Sequence, residues 1–246
     1  MVEMNNTHIM VYKPAGITMN QLILDYKNKN NIAKICFAGR LDPMARGNCL
    51  FLFNEECKKI DNYKNLDKTY QFKIIIGLQT DSDDPLGLIQ TIRPDLMTKE
   101  QIIKLKNNLE IPEISEFRQK FHKFSTKCFN QKDKTQEPSH LVSIYSYQIG
   151  NEDDYEKYDF HCWKEQIISQ INTIDNKCNF NQSNIIKQWN LITSIKELYA
   201  IPVTLTVSSG FYVRQFVRDQ SEKIGIPLMV YDINRINFLS KIGFNS

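Results

Sequence analysis

The segment Cys36–Phe53, CFAGRLDPMARGNCLFLF, constrains the fold of this chain more than any other. Gly39 and Pro43 bracket Arg40-Leu41-Asp42, Gly47 follows, and an apolar run begins at Cys49. Glycine and proline punctuate turns, and a run of four to eight apolar residues beyond them reads as a strand. The pattern mounts a carboxylate, Asp42, on a tight loop at the mouth of a sheet. Taken alone, Asp42 also reads as an ordinary turn aspartate, because Asp-Pro is common in loops and makes local hydrogen bonds.

Other segments supply the rest of such a sheet. A strand is expected at His8–Tyr12, ending in the turn Lys13-Pro14-Ala15-Gly16. Tyr70–Leu78 alternates, with Phe72, Ile74 and Ile76 on one face. Further strands are expected at Cys49–Phe53, Leu88–Ile92, Leu141–Ile149, Tyr199–Val207 and Leu228–Phe238, with a turn at Ser82–Gly87. Three helices are expected. Met19–Lys27 is capped by Thr18, and Thr98–Leu109 has Gln101 in the capping-box position. Tyr212–Ile224 is ended by Gly225 and Pro227. Gln119–Glu137 is polar and basic and reads as a loop. Residues 151–190 are Asn-rich and patchy, and read as a possible divergent insertion in one domain spanning 1–246.

With 246 residues, 41% hydrophobic and 24% charged, the chain can bury a sizeable core and is not a disordered segment. The formal net charge of +3 permits a nucleic-acid partner without demanding one. Six cysteines form no CxxC pair, and four histidines complete no metal-ligand spacing, so no metal site is expected. The polar N-terminus predicts no signal peptide, and no apolar run reaches membrane-spanning length, so an intracellular, reduced setting is expected.

Several ordered motifs, taken together, resemble the TruB family of pseudouridine synthases. Lys13-Pro14-Ala15-Gly16 matches the family's KPxG entry motif. Gly39, Leu41-Asp42-Pro43 and Gly47 match its catalytic GTLDP loop and next glycine. Lys68-Thr69-Tyr70, Gly77, Thr80-Asp81 and Asp84–Gly87 look like its KxY…TDT.D.DG segment. Ser209-Gly210 with Tyr212-Val213-Arg214 looks like its G-TYIR motif, and Ile233-Asn234-Arg235-Ile236 like its LRRL strand. The matches run from about residue 9 to 238, the middle excepted.

The resemblance implies an α+β pseudouridine synthase fold: a mixed, mostly antiparallel sheet with flanking helices and a central RNA-binding cleft. It implies a cofactor-free isomerisation of uridine, in the usual relatives uridine 55 of the tRNA T loop. Asp42 would be the ionised carboxylate beside the sugar, as nucleophile or base. Arg214 would favour its charged form; by itself it reads equally as a helix arginine facing solvent or Asp219. Tyr70 would offer a flat face to the uracil, and Ile233 would pack the other side. Lys13 and Lys68 would contact phosphates, and Gly39, Arg40 and Tyr212 complete the implied substrate-binding set. Lys120, Lys123, Lys127, Lys132 and Lys134, interleaved with Phe121, Phe124 and Phe129, are RNA contacts or a solvated loop over core phenylalanines.

The chain departs from the family at four places. Phe37 stands five residues before Asp42, where the family carries a histidine. Arg40 replaces a small residue and is similar to the arginine in the GRLD and HRLD loops of the RsuA and RluA families. The family's YSA segment is only loosely echoed by Phe124-Ser125-Thr126, and the chain stops about ten residues after the last motif, so no C-terminal PUA domain is expected. The implied partner is tRNA or another structured RNA, bound by a monomer without membrane attachment. Two alternatives are a synthase acting on ribosomal or messenger RNA, and a non-catalytic RNA-binding module.

Overall fold

The structure, a computed structural model, describes residues 7–109, 111, 116–120 and 139–239. The elements follow in chain order: β1 (His8–Lys13), α1 (Met19–Asn30), β2 (Ile35–Ala38), β3 (Arg46–Phe53), α2 (Asp61–Lys64), β4 (Asp67–Ile76), β5 (Leu78–Thr80) and β6 (Ile89–Ile92). Then come α3 (Lys99–Asn108), β7 (Glu116–Lys120), β8 (Ser139–Ile149), β9 (Glu156–Asp159), α4 (Phe160–Thr173), α5 (Gln182–Leu191), β10 (Glu197–Val207), α6 (Val213–Ile224) and β11 (Leu228–Leu239).

Nine strands form one sheet, ordered β1-β3-β11-β4-β10-β8-β7, with β2 also beside β3 and β9 beside β10. Every contact in it is antiparallel except β3–β11, where Arg46 pairs with Asn234 and Gly47 with Arg235. β5 and β6 make a separate hairpin. The expected mixed, mostly antiparallel α+β architecture is therefore what the chain adopts.

Alternation decides which side chains each face buries. On β4, Tyr70, Phe72, Ile74 and Ile76 turn to one face, with Ile201, Val203 and Leu205 of β10. Helices α1, α3 and α6 close that face through Met19, Leu22, Ile102, Leu105, Phe216 and Val217. The opposite face carries Ile75, Leu198, Ala200 and Met229, and is closed by α4 and α5. Thr18 caps α1 in a full capping box with Gln21, Thr98 caps α3, and Gly225 ends α6 in the left-handed conformation.

Residues 151–190, expected as a divergent insertion, hold β9, α4 and most of α5. Phe160, Trp163, Ile167 and Ile171 recur at helical spacing and are all buried, so this stretch builds the second layer over the sheet. The expected loop at Gln119–Glu137 needs correction at its start. Gln119 and Lys120 belong to β7, paired with His140 and Ser139. A polar pattern conceals this strand because the pairing itself satisfies its backbone. Of the candidate basic loop, Lys123, Lys127, Lys132, Lys134, Phe121, Phe124 and Phe129 lie outside the described residues, as does the Phe124-Ser125-Thr126 echo. Lys120 is described only as a strand residue.

Trp189 of α5 is fully buried and its indole Nε1–H donates to the Pro85 carbonyl at 3.1 Å. Trp189→Ala should cost about 3–5 kcal/mol. Urea unfolding should show a lower midpoint, which would establish that α4 and α5 are cooperative with the sheet.

Candidate active site

The Asp42 loop is set between β2 and β3 and is fastened from below. The Asp42 carbonyl accepts from the Ala45 amide at 3.1 Å, and the Pro43 carbonyl accepts from the Gly16 amide at 2.9 Å. Lys13, at the end of β1, is completely buried beneath this loop. Its ammonium donates to the carbonyls of Pro14 (3.0 Å), Pro43 (3.0 Å) and Ala45 (2.6 Å). The expected role of Lys13 as an RNA phosphate contact is therefore corrected. Its three donors are consumed by backbone, and burial pulls its pKa down to about 8, with Cys49 and Asp42 opposing.

Arg214, the second residue of α6, reaches across the fold to Asp42. Its Nε–H donates to Asp42 Oδ2 at 2.9 Å, and its Nη1–H to the Ser82 carbonyl at 3.2 Å. The Asp84 carboxylate lies 3.9 Å away on the same guanidinium. Asp219, the alternative partner considered for Arg214, instead accepts from Gln215 at 2.7 Å. Arg218, one turn further along α6, ion-pairs with Asp83 at 2.5 Å and donates to the Asp81 carbonyl at 2.9 Å. Two arginines spaced four apart share a helix face, so the 81–84 turn is a platform that aims Arg214. Burial pushes the Asp83 carboxyl up to about 6, with the Arg218 hydrogen bond opposing. Burial likewise raises Asp84 against the pull of Arg214.

Around the Asp42–Arg214 pair opens a cavity of about 260 Å³. Gly39, Arg40, Lys68, Tyr70, Tyr212 and Ile233 line it together with Asp42 and Arg214. Eight of the nine candidate residues thus converge on one cavity, and Lys13 alone lies beneath it. Tyr70 and Ile233 are buried walls, while Tyr212 stands half-exposed at the rim. Burial raises the Tyr70 phenol, and the neighbouring Arg235 guanidinium opposes that rise by charge and hydrogen bonding. The Lys68 ammonium donates to the Leu66 carbonyl, and burial, reinforced by the Arg235 charge, pulls its pKa down to about 8. Arg40 is exposed, its guanidinium 5.8 Å from the centre of the Phe37 ring.

Gly39 lets two cations approach the loop. Its φ is +74°, and an added Cβ would lie 3.1 Å from Lys68 Cε and 3.2 Å from Arg235 Nη1. Arg235 was not singled out as a site residue by sequence, although it lies in the Ile233–Ile236 motif. It lines the cavity, pairs across strands with Tyr70, and is fully buried. Its Nε–H donates to Asn48 O at 2.8 Å and its Nη2–H to Gly39 O at 3.0 Å. Gln119 is a second missed residue. Its side chain brackets Tyr212, accepting from the Tyr212 amide at 2.8 Å and donating to its carbonyl at 2.9 Å. Among the described residues, no group of three or more His, Cys, Asp and Glu side chains is placed to hold a metal ion. No helix among them is long and apolar enough to cross a membrane.

The site can act on a small, flat, neutral ring attached to a sugar. It has one carboxylate held by a guanidinium, one aromatic wall, one aliphatic wall and a cationic rim. Its volume falls below the roughly 300–1,000 Å³ of pockets that hold drug-sized ligands, which suits a single nucleoside.

Residues 27–162, more than half the chain, match the model of the TruB family pseudouridylate synthase (N terminal domain). The tRNA pseudouridine synthase B of Mesoplasma florum is 28% identical over 247 residues, covering 98% of this chain and 73% of that protein. That of Mycoplasmoides gallisepticum is 24% identical over 237 residues, covering 95% and 92%. Among solved structures, an H/ACA RNP bound to a substrate RNA containing 2′-deoxyuridine includes a chain that matches with a TM-score of 0.52 at 12% identity. That match covers 94% of this chain and 47% of the other. A chain of a Cbf5-Nop10-Gar1 complex matches with a TM-score of 0.51, covering 94% and 48%. These structural likenesses concern the fold. With the motif-bearing residues gathered around one cavity and the family model matching residues 27–162, this chain belongs to the TruB family of pseudouridylate synthases.

Proposed function

We propose that this chain isomerises a uridine in the T loop of tRNA, position 55, with Asp42 as the catalytic carboxylate. The observation that carries this reading is the Asp42–Arg214 pair, 2.9 Å apart, in a cavity walled by Tyr70 and Ile233. The reaction breaks the N1–C1′ bond, turns the base, forms the C5–C1′ bond and moves the C5 proton to solvent while N1 gains one. Nothing is oxidised or reduced. A carboxylate facing the ribose serves either as nucleophile at carbon or as base toward a ribose proton. Arg214 holds that carboxylate in place and supplies the compensating charge. Tyr70 and Ile233 sandwich the ring while it turns, and the Tyr70 hydroxyl is a wall group able to handle the C5 proton.

The target uridine of a folded loop must leave its stack to enter so narrow a site. Exposed Arg40 and half-exposed Tyr212 form the cationic and aromatic rim that receives the flanking nucleotides, with the buried Lys68 in the cavity wall behind them. On this reading the chain acts as a monomer with one catalytic domain over 1–246. A second reading, another structured RNA as substrate, is favoured by exposed Arg40 stacked over Phe37 at this rim.

Purified protein incubated with an unmodified tRNA transcript should form pseudouridine at one T-loop position, mapped by chemical labelling. Asp42→Ala should abolish product while tRNA binding persists. Product elsewhere, or only in ribosomal RNA, would replace the T-loop assignment. Product formed by Asp42→Ala would overturn the catalytic role.

The buried lysines add a pH dependence. Lys68 is charged below about pH 8 and neutral above it. KM for RNA should therefore rise as pH increases through about 8, and Lys68→Arg should flatten that limb. The stability effect has the opposite sense. Lys13 and Lys68 lose their protons near 8 in the folded chain but keep them to about 10.5 when unfolded. The unfolded state therefore binds more protons between these values, so their contribution to stability rises with pH across that window. Urea titrations at pH 7.5 and 9.5, compared with a Lys68→Met variant, measure it.

A further inference from the structure

Strand β11 carries two walls of the cavity, Ile233 and Arg235, and its facing reverses just before them. From Leu228 to Tyr231 it keeps simple antiparallel register with β4, ending at Tyr231 opposite Lys73. There Leu228 and Val230 face the α6 layer, and Met229 and Tyr231 face the α4 layer. Strict alternation would send Ile233 to the α4 side as well. Pairing instead resumes one residue out of step, at Asn234 opposite Gln71 and Arg235 opposite Tyr70. Ile233 consequently joins the α6-side core and lines the Asp42 cavity, and it also borders the neighbouring cavity beside Asp232. The extra residue makes a β-bulge, and Asp232 within it takes the left-handed conformation, φ +53°.

The bulge is gripped from the α4 side. Arg46 holds the Asp232 carboxylate with two bonds, Nε to Oδ1 at 2.5 Å and Nη2 to Oδ2 at 3.1 Å. Lys73 lies 3.3 Å from Oδ2 and is itself tied to Glu156 at 2.8 Å. Arg46 also donates to the Tyr12 hydroxyl at 3.2 Å. It stands four residues after Asp42, and its backbone pairs with Asn234 in the parallel β3–β11 contact. One bidentate ion pair therefore joins the exit of the Asp42 loop to the residue that turns β11 over. Neither partner lines the Asp42 cavity; both border a separate cavity of about 350 Å³ on the α4 side.

We propose that Arg46 and Asp232 are positioning residues for the isomerisation. Their ion pair locks the β11 bulge so that Ile233 faces the uracil, and it holds that wall in register with Asp42. This rests on the assignment of Ile233 as a wall of the uracil site. Neither residue lines the Asp42 cavity, so the effect falls on turnover.

The test measures kcat, KM and Tm for Asp232→Ala, Arg46→Gln, the double variant, Asp232→Asn and Arg46→Lys on a T-arm RNA. Each of the first two should lower kcat about 10- to 100-fold, the scale expected when a reacting group's support shifts by an ångström. KM should stay unchanged, the protein should remain folded at the assay temperature, and the double variant should be no slower than the slower single. Asp232→Asn, which tolerates the left-handed conformation and keeps a hydrogen bond to Arg46, should recover most of the loss. Unchanged kcat, a loss confined to KM, multiplicative effects in the double variant, or no recovery in Asp232→Asn would each overturn the proposal. If the wild-type protein forms no product on this RNA, the substrate assignment fails. A crystal structure of Asp232→Ala then decides the positioning role: Ile233 turned to the α4 side upholds it, and Ile233 in place refutes it.

Discussion

The site depends on how closely the backbones of β3 and β11 approach at Gly47. The residue has φ +121°, and a Cβ there would sit 2.3 Å from the Arg235 carbonyl oxygen and 2.6 Å from its nitrogen. No side chain fits such a contact. The approach makes the one parallel pairing among the described strands possible, and it places the Asp42 loop beside the strand bearing Ile233 and Arg235. Lys13 and the Gly16 amide then pin the loop from beneath through the Pro43 and Ala45 carbonyls. The loop is thus held by backbone contacts on two sides, leaving its carboxylate free for the cavity.

Charge is distributed around this frame with little waste. Arg214 sits in the first turn of α6, whose N-terminal dipole adds positive potential next to Asp42 and Asp84. The 81–84 turn holds the Asp84 carboxylate with the Ser82 hydroxyl at 2.7 Å and the Leu86 amide at 3.0 Å. It also anchors β11, since the Val230 amide donates to the Asp83 carbonyl at 2.9 Å. Residues 81–85 therefore couple α6, β11 and the α4–α5 layer, the last through the Pro85 carbonyl that accepts from Trp189. Buried cations elsewhere support the same frame: Lys13 spends its three donors on backbone carbonyls beneath the Asp42 loop, and Arg235 gives Nε–H to Asn48 O and Nη2–H to Gly39 O, while its buried Nη1 has no hydrogen-bond partner among the described residues.

Much of the fold was legible because its signals are local. The alternation of Phe72, Ile74 and Ile76 named the face they bury, and Thr18, Thr98 and Gly225 marked helix ends by the chemistry of caps. The stretch 151–190 was harder to read. Phe160, Trp163, Ile167 and Ile171 do carry a helical period, but the polar Gln, Asn and Ser positions of α4 and α5 dilute it. β2 and β7 are short, and their pairing with β3 and β8 gives them strand form more than any propensity of their own. Lys13 shows the limit most plainly: in a KPxG turn it looks like a phosphate lysine, and only the packing of β1 against the Asp42 loop buries it.

By itself, the sequence determined the family's motifs, the carboxylate on its Gly-Pro loop, the helix caps and the phase of β4. Each of these depends on dihedral preferences and periodicities over a few residues. Tertiary structure alone decided that Arg214 meets Asp42 across 172 positions, that Lys13 is internal, and that Ile233 faces the site. Those outcomes depend on register between distant strands, and a one-residue bulge at Asp232 is enough to reverse which side of the sheet a residue occupies.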